Sequence, residues 1–122
     1  MLSRLTPVVL AFALVFAFAA GADATSHVDV TGDWSSNWDD VKLVREGNRV
    51  FGTYVCCGGG KIEGRVFENR IIRYHWESPN GGGGEGVWEI MSSQRLDGTW
   101  GSGQSDDDGG RWDLVRKSSL AN

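Results

Sequence analysis

The sequence is poor in the residues that stabilise a small domain without a large core. It has two cysteines and two prolines in 122 residues. The only two cysteines are the adjacent residues Cys56 and Cys57. A fold held together by several disulfides is therefore excluded. Basic residues are also in the minority, with 12 Lys and Arg against 16 Asp and Glu, for a formal net charge of -4. No long basic stripe offsets this charge, so we expect no nucleic-acid partner.

The sequence also lacks a recognisable catalytic motif. His75 stands alone between two aromatic residues, without the nucleophile and orienting acid that a catalytic base requires. A zinc site built on the cysteine pair would need further His or Cys ligands, and the only histidines in the chain are His27 and His75. The chain is therefore predicted to be no enzyme and to carry no cofactor or metal.

The first 24 residues are typical of a cleaved secretion signal. A short basic stretch over residues 1–4 precedes an apolar run over 5–20, and small residues at 22–24 fit a cleavage site. A membrane anchor is the alternative, but a spanning helix needs about 20 apolar residues and this run is shorter. We expect one domain over residues 25–122, secreted or periplasmic and without a membrane span after cleavage.

Glycine and tryptophan are abundant, with 18 Gly and six Trp. Short runs alternate apolar and polar residues and are bounded by turn-forming residues, which indicates strands rather than helices. The predicted fold is an all-β antiparallel meander, closed into an eight-stranded up-and-down barrel; an open sandwich is the alternative. The predicted strands cover residues 30–35, 41–45, 49–55, 60–64, 70–76, 85–91, 96–101 and 111–117.

A glycine followed two residues later by a large aromatic recurs along the chain, as in Gly86/Trp88 and Gly98/Trp100. Residues two apart share one face of a strand, so each glycine leaves room on that face for a ring from the adjacent strand. The predicted interior face carries Val41, Leu43, Val50, Gly52, Tyr54, Ile62, Gly64, Ile72, Tyr74, Trp76, Gly86, Trp88, Ile90, Leu96, Gly98, Trp100, Trp112 and Leu114.

Two stretches of the chain carry a family resemblance. Residues 31–34 read Thr-Gly-Asp-Trp and residues 51–54 read Phe-Gly-Thr-Tyr, while later strands bring Trp88 and Trp100 in Gly-x-Trp patterns. This arrangement resembles avidin-like proteins, which are secreted calycin-type eight-stranded barrels, similar in shape to lipocalins, that bind biotin. The resemblance implies that Tyr54 donates a hydrogen bond to a ligand oxygen. Ser36 and Asp40 stand near the family's other polar positions, where a carboxylate at Asp40 would repel the biotin ureido oxygen.

Six aromatic residues are the candidate ligand-binding residues, and the same six are candidates for a packed core. One hypothesis is a barrel mouth that accepts a small apolar or aromatic-stacking ligand. The alternative is a solid-cored secreted or envelope protein that binds a protein or carbohydrate through its surface, with Trp38 displayed. Neither the ligand nor the oligomeric state follows from the sequence. The candidates are Tyr54, Tyr74, Trp76, Trp88, Trp100 and Trp112.

Two further features carry chemistry. At the end of a strand, side chains of Cys56 and Cys57 point to opposite faces, which favours one buried and one exposed thiol over a strained vicinal disulfide or an intermolecular one. Export favours some oxidised form. The acidic residues Asp106, Asp107 and Asp108 are the nearest approach to a Ca²⁺ site, but they lack the alternating ligand pattern, and a solvated hairpin tip is the preferred interpretation.

Overall fold

The structure is a computed structural model that describes residues 27–118. The predicted secretion signal lies outside the described residues, and export stays a prediction. Within the described part, no helix is long and apolar enough to cross a membrane. The strands are β1 Gly32–Ser36, β2 Val41–Glu46, β3 Arg49–Tyr54, β4 Gly60–Phe67, β5 Ile71–Glu77, β6 Gly83–Ser92, β7 Arg95–Trp100, β8 Gly110–Arg111 and β9 Leu114–Arg116.

The strands form a closed antiparallel barrel, as predicted. Each of β1 to β7 pairs with its neighbour along the chain, and β9 closes the ring between β7 and β1. The eighth predicted strand is interrupted, so that β8 and β9 together take its place. Asp113 causes the break, because its backbone N–H donates to the Asn37 side chain and its own carboxylate accepts from the backbone of Gly98.

The predicted interior face is confirmed strand by strand, and its large apolar side chains are buried or half-buried. Sequence patterning missed Val30, Trp34 and Val66, which belong to the same core. It also missed Arg45, a charged side chain that is only 8% exposed. Arg45 shares the inward phase of Leu43, so it enters the barrel interior with it.

Glycines make the aromatic packing possible where strands pair. Gly86 lies opposite Tyr74, and a Cβ on Gly86 would come within 2.0 Å of the Tyr74 ring. Gly60 relates in the same way to Tyr54, where the corresponding distance is 2.1 Å. The interpretation of the glycine–aromatic repeat is therefore confirmed for Gly86 and Gly98, which make room for Tyr74 and Trp88, but not for Gly32, Gly52 and Gly110, which face no aromatic ring.

Strand β6 begins at Gly83, two residues earlier than predicted. Gly84 pairs with Trp76, and a Cβ on Gly84 would lie 1.9 Å from the carbonyl oxygen of Gly101. Such a close approach of two backbones requires glycine. The second half of the glycine tract over residues 81–84 therefore belongs to the barrel wall.

One end of the barrel is closed by Arg45. Its guanidinium donates to the carbonyls of Val28 and Gly47 at 2.6 and 2.7 Å, and to the side chains of Asn48 and Asn69. These hydrogen bonds connect the segment before β1 to the β2–β3 turn and the β4–β5 turn across this end of the barrel. This end is therefore closed, and the cavity described below lies at the opposite end.

Candidate functional site

The candidate site is a solvent-open cavity of about 260 Å³ at the other end of the barrel, here called the mouth. Four loops surround it: 37–40, 55–59, 78–82 and 101–109. The volume is slightly below the ~300–1,000 Å³ typical of drug-sized ligands, so a small molecule or one end of a larger one fits. The lining consists of Trp38, Tyr54, Cys56, Cys57, Trp76, Ser78, Asn80, Gly82, Trp100 and Trp112.

Five aromatic rings of the mouth form one continuous chain of edge-to-face contacts, here called the aromatic cage: Trp38, Trp100, Trp76, Tyr54 and Trp112. Trp100 lies nearly perpendicular to both Trp38 and Trp76, at interplanar angles of 85° and 78°. Tyr54 is likewise nearly perpendicular to Trp76 and Trp112, at 79° and 87°. Perpendicular neighbours direct their ring faces in different directions, so the cage surrounds the cavity with aromatic surface on several sides.

The indole N–H groups of three cage tryptophans already donate hydrogen bonds to protein oxygens. The indole N–H of Trp76 donates to the carbonyl of Gly101 at 2.8 Å, and that of Trp38 donates to the carbonyl of Arg111 at 2.9 Å. Trp112 donates to the hydroxyl of Ser36 at 3.1 Å. These bonds to two backbone carbonyls and one hydroxyl fix the orientation of the rings. What the three rings offer a ligand is therefore their aromatic surface rather than hydrogen bonds.

Two polar atoms of the cage are not engaged. Among the described residues, the indole nitrogen of Trp100 is the buried side-chain polar atom without a hydrogen-bond partner. Within the same part of the chain, the Tyr54 hydroxyl makes no hydrogen bond to another protein group. Burial, with a smaller contribution from the negative charge of Glu77, raises the pKa of Tyr54 above its ordinary value. The hydroxyl therefore stays protonated at neutral pH and is available as a donor to a ligand.

The structure divides the six predicted aromatic residues into two groups. Tyr54, Trp76, Trp100 and Trp112 line the mouth. Tyr74 and Trp88 do not, because they lie deeper as a stacked pair that fills the barrel beneath it. Trp112 is 5% exposed and contacts both groups, so it forms the floor of the cavity.

Trp38 was expected on the free surface in the alternative hypothesis, and it lies instead in the mouth. It is 38% exposed, and its ring centroid is 5.6 Å from that of Trp100. No alternating pattern signals this placement, because Trp38 lies in the loop after β1 rather than in a strand. Its position depends on the hydrogen bond to Arg111, a residue distant in the sequence.

The preference for two free thiols is wrong for this structure, in which Cys56 and Cys57 form a vicinal disulfide with their Cα atoms 3.7 Å apart. The expectation assumed strand geometry. The pair lies instead in a short 3-10 turn, Cys56–Gly58, and Cys57 has a positive φ of 65°. This conformation brings both sulfurs to one side, and the disulfide becomes part of the cavity wall.

The acidic loop does not bring its carboxylates together as a Ca²⁺ site. Asp108 accepts a hydrogen bond from the backbone of Ser102, and Asp107 accepts one from the hydroxyl of Ser105. Asp106 lies 3.8 Å from the guanidinium of Arg73. Within residues 27–118, no group of three or more His, Cys, Asp or Glu side chains is arranged to hold a metal ion.

The two other positions marked by the family resemblance lie outside the cavity lining. The Asp40 carboxylate pairs with Lys117 at 2.6 Å on the outside of the barrel. The Ser36 hydroxyl accepts from the indole of Trp112 and from the backbone of Trp38, and it donates to the carbonyl of Asp39. Ser36 therefore positions the cage from behind instead of contacting a ligand.

The edge of the mouth is acidic. The four loops and the last residue of β5 contain no Lys or Arg, and the lining itself has no charged side chain. Among the described residues, Asp40 and Asp106 each have a Lys or Arg partner within 4 Å, and Glu77 lies 3.9 Å from the imidazole of His75. The mouth therefore combines an uncharged aromatic interior with a negatively charged edge, made of Asp39, Asp40, Glu77, Asp106, Asp107 and Asp108.

Comparison of the chain with protein-family models, curated proteins and solved structures gave no match.

Proposed function

We propose that this protein is a small-ligand-binding barrel that holds an apolar or aromatic part of its ligand in the aromatic cage and releases it unchanged. The observation that carries the proposal is the cavity itself, where five large aromatic side chains surround about 260 Å³ of open space. Burying an aromatic surface of this kind stabilises a complex by roughly 25 cal/mol per Å² of apolar area removed from water. The Tyr54 hydroxyl would orient the bound molecule by donating one hydrogen bond.

The layered interior supports the same proposal. Tyr74 and Trp88 fill the barrel below the mouth and are 2% and 0% exposed. Trp76 and Trp100, one layer higher, are packed against this core yet remain partly accessible. A rigid floor with accessible rings above it is preformed for binding, which reduces the conformational entropy that a ligand must remove.

The filled lower half of the barrel is also what the alternative hypothesis expects, that of a protein that acts through its outer surface. Exposed apolar side chains do occur there, including Phe67 and Val115 at 46% and 54%. Residues of this kind are normal when scattered over a surface. The mouth is different, because its rings are contiguous and enclose a volume.

Intrinsic tryptophan fluorescence tests the proposal directly, since four of the five cage rings are tryptophans. The purified protein is titrated with biotin and with a panel of small aromatic and lipid-like molecules. We expect a saturable shift for at least one ligand. Tyr54→Phe should weaken the binding of a ligand with an acceptor atom by about five- to tenfold, because it removes a single hydroxyl donor. Phe67→Leu, on the outer face, is the control and should leave binding unchanged.

The proposal fails if no ligand of the panel shifts the fluorescence of a protein that still unfolds cooperatively. That result would direct attention to the outer surface and support the alternative hypothesis.

A further inference from the structure

The chemistry of the mouth selects among the ligands that its size admits. A sugar would present many hydroxyl groups that each need a hydrogen-bond partner when buried. The indole N–H groups of Trp38, Trp76 and Trp112 already donate to protein oxygens. The hydroxyl of Ser78, another polar group of the lining, already donates to the side-chain oxygen of Asn80. The mouth is therefore suited to a group that needs few hydrogen bonds.

The charges around the mouth narrow the class of ligand further. The cage presents aromatic faces on several sides, and an aromatic face carries partial negative charge that attracts cations. The edge adds carboxylates, and Glu77 is close enough to act on the hydroxyl of Tyr54. No basic side chain lines the cavity to repel a cation. An anionic or carboxylate-bearing end group would meet the opposite conditions.

Resting on the proposed function, we infer that the mouth binds an organic cation of the quaternary ammonium class, with a trimethylammonium group held in the aromatic cage. Such a group is apolar on its surface, positively charged, and donates no hydrogen bond. It matches a cavity with several ring faces, an acidic edge, and indole N–H groups of which three in four already donate to protein oxygens. The remainder of the ligand would extend past Tyr54 toward the open edge, where that hydroxyl can donate to an acceptor atom.

The vicinal disulfide takes part in this site as a wall. Cys56 and Cys57 lie beside the cage and contribute an uncharged surface without hydrogen-bond donors at the point where the loop 55–59 borders the cavity. A polar or mobile loop at this place would let water reach the charged group and weaken its attraction to the rings. The disulfide instead keeps this side of the cavity apolar and fixed.

The test compares choline with the neutral alcohol in which carbon replaces its nitrogen. The two molecules have nearly the same shape and differ in charge, so the ratio of their dissociation constants reports the cation preference. We expect choline to bind at least about tenfold more tightly. Equal binding of both molecules would overturn the inference and leave the proposed function standing. If neither choline nor the alcohol binds but an aromatic ligand of the panel does, the inference is likewise overturned and the proposed function stands. If nothing binds, both proposals fail.

Variants locate the preference in the cage. Trp38→Leu keeps an apolar side chain in the mouth and removes one ring, so the choline-to-alcohol ratio should fall at least threefold. Because both ligands are measured on the same variant, a general disturbance of the mouth affects them alike and cancels in the ratio. Phe67→Leu removes a ring from the outer face and should leave the ratio unchanged. An unaltered ratio in Trp38→Leu would contradict the assignment of the cation to the cage.

The acidic edge is tested by a matched pair of charge changes. Glu77→Gln removes a carboxylate at the mouth, whereas Glu46→Gln removes one at the closed end, and both residues are exposed. We expect the first to weaken choline binding about two- to threefold at low salt and the second to have no effect. The neutral alcohol should bind both variants like the original protein. A loss of choline affinity equal in both variants would contradict a local role for Glu77.

The trimethylammonium group can belong to a soluble molecule or to a lipid headgroup, and vesicles distinguish these sources. Sedimentation with phosphatidylcholine vesicles that choline reverses would identify the headgroup. Binding of free choline without sedimentation would identify a soluble ligand. Sedimentation only with anionic phosphatidylglycerol vesicles would contradict the inference, because that headgroup has no ammonium group.

Discussion

The ring of Tyr74 lies on the ring of Trp88 with centroids 4.1 Å apart and an interplanar angle of 28°. The Tyr74 hydroxyl donates to the carbonyl of Thr99 at 2.8 Å, and the indole of Trp88 donates to the carbonyl of Trp112 at 3.0 Å. This stacked pair therefore ties β5, β6 and β7 to the chain that follows them. It is the core layer that lies beneath the aromatic cage.

Gly86→Ala should destabilise the protein by about 2 to 3 kcal/mol, since overpacking a core forces rings from their places. The new Cβ would lie 2.0 Å from the Tyr74 ring in the present structure. Gly82→Ala is the control, because its Cβ would lie 3.2 Å from the flexible hydroxyl of Ser78. Urea denaturation measures both. Equal midpoints for the two variants would show that the Tyr74 ring does not depend on the space at Gly86.

Arg45→Met should lower the free energy of unfolding by about 3 kcal/mol, because buried carbonyls lose a charged donor while the apolar stem is kept. The guanidinium closes the end of the barrel opposite the mouth, so ligand affinity should not change. The exposed Arg49, whose nearest carboxylate is 3.5 Å away at Glu63, provides the control. Arg49→Met should alter stability by less than about 1 kcal/mol. A large effect of Arg45→Met on binding would contradict the separation of the two ends.

The alkaline limit of stability should be set by the tyrosines. The chain has two of them, and burial raises the pKa of both Tyr54 and Tyr74. The unfolded chain ionises its tyrosines near pH 10, so above this pH protons are lost on unfolding and the folded state is progressively less favoured. Below pH 10 this contribution to stability is fully present. We expect the free energy of unfolding to fall as pH rises from about 10, together with a delayed appearance of phenolate absorbance.

Tyr74→Phe separates this effect from other alkaline changes. The variant loses the hydrogen bond to Thr99 and is expected to be less stable at pH 8, but its stability should decline less steeply above about pH 10. Identical slopes for the variant and the original protein would contradict the assignment to Tyr74.

Reduction of the Cys56–Cys57 disulfide should weaken ligand binding about fivefold, because residues of the cavity wall regain conformational freedom that binding must then remove. The fold itself should survive, since both cysteines lie in a loop outside the barrel strands. Ligand titration and thermal denaturation with and without dithiothreitol measure the two effects. The double variant Cys56→Ser, Cys57→Ser is the control and should not respond to dithiothreitol. A response of that variant would assign the effect to another cause.

Much of the candidate site could be predicted because it continues the strand pattern. Tyr54, Trp76 and Trp100 each stand at the mouth end of a strand and share the inward phase of that strand. Trp38 and the disulfide could not be predicted in the same way, since a loop residue has no periodic neighbour that defines its direction. Hydrogen bonds between distant segments, such as the one from Trp38 to Arg111, determine where these loops lie.

Arg45 shows the same limit in the core. The alternation of β2 directs it inward with Leu43, yet its charge argues for solvent. Burial became possible only because the carbonyls of Val28 and Gly47 and two asparagine side chains converge on its guanidinium. No local pattern reports such a convergence.

The sequence by itself determined the all-β class, the inward face of most strands and some of the positions where glycine makes room for a ring. These properties follow from alternation with period two and from local turn chemistry, which act between near neighbours in the chain. Only the tertiary structure decided which aromatic residues are buried and which remain open at the mouth. That division depends on how the closed ring of strands distributes space along its axis, with Arg45 at one end and the cage at the other.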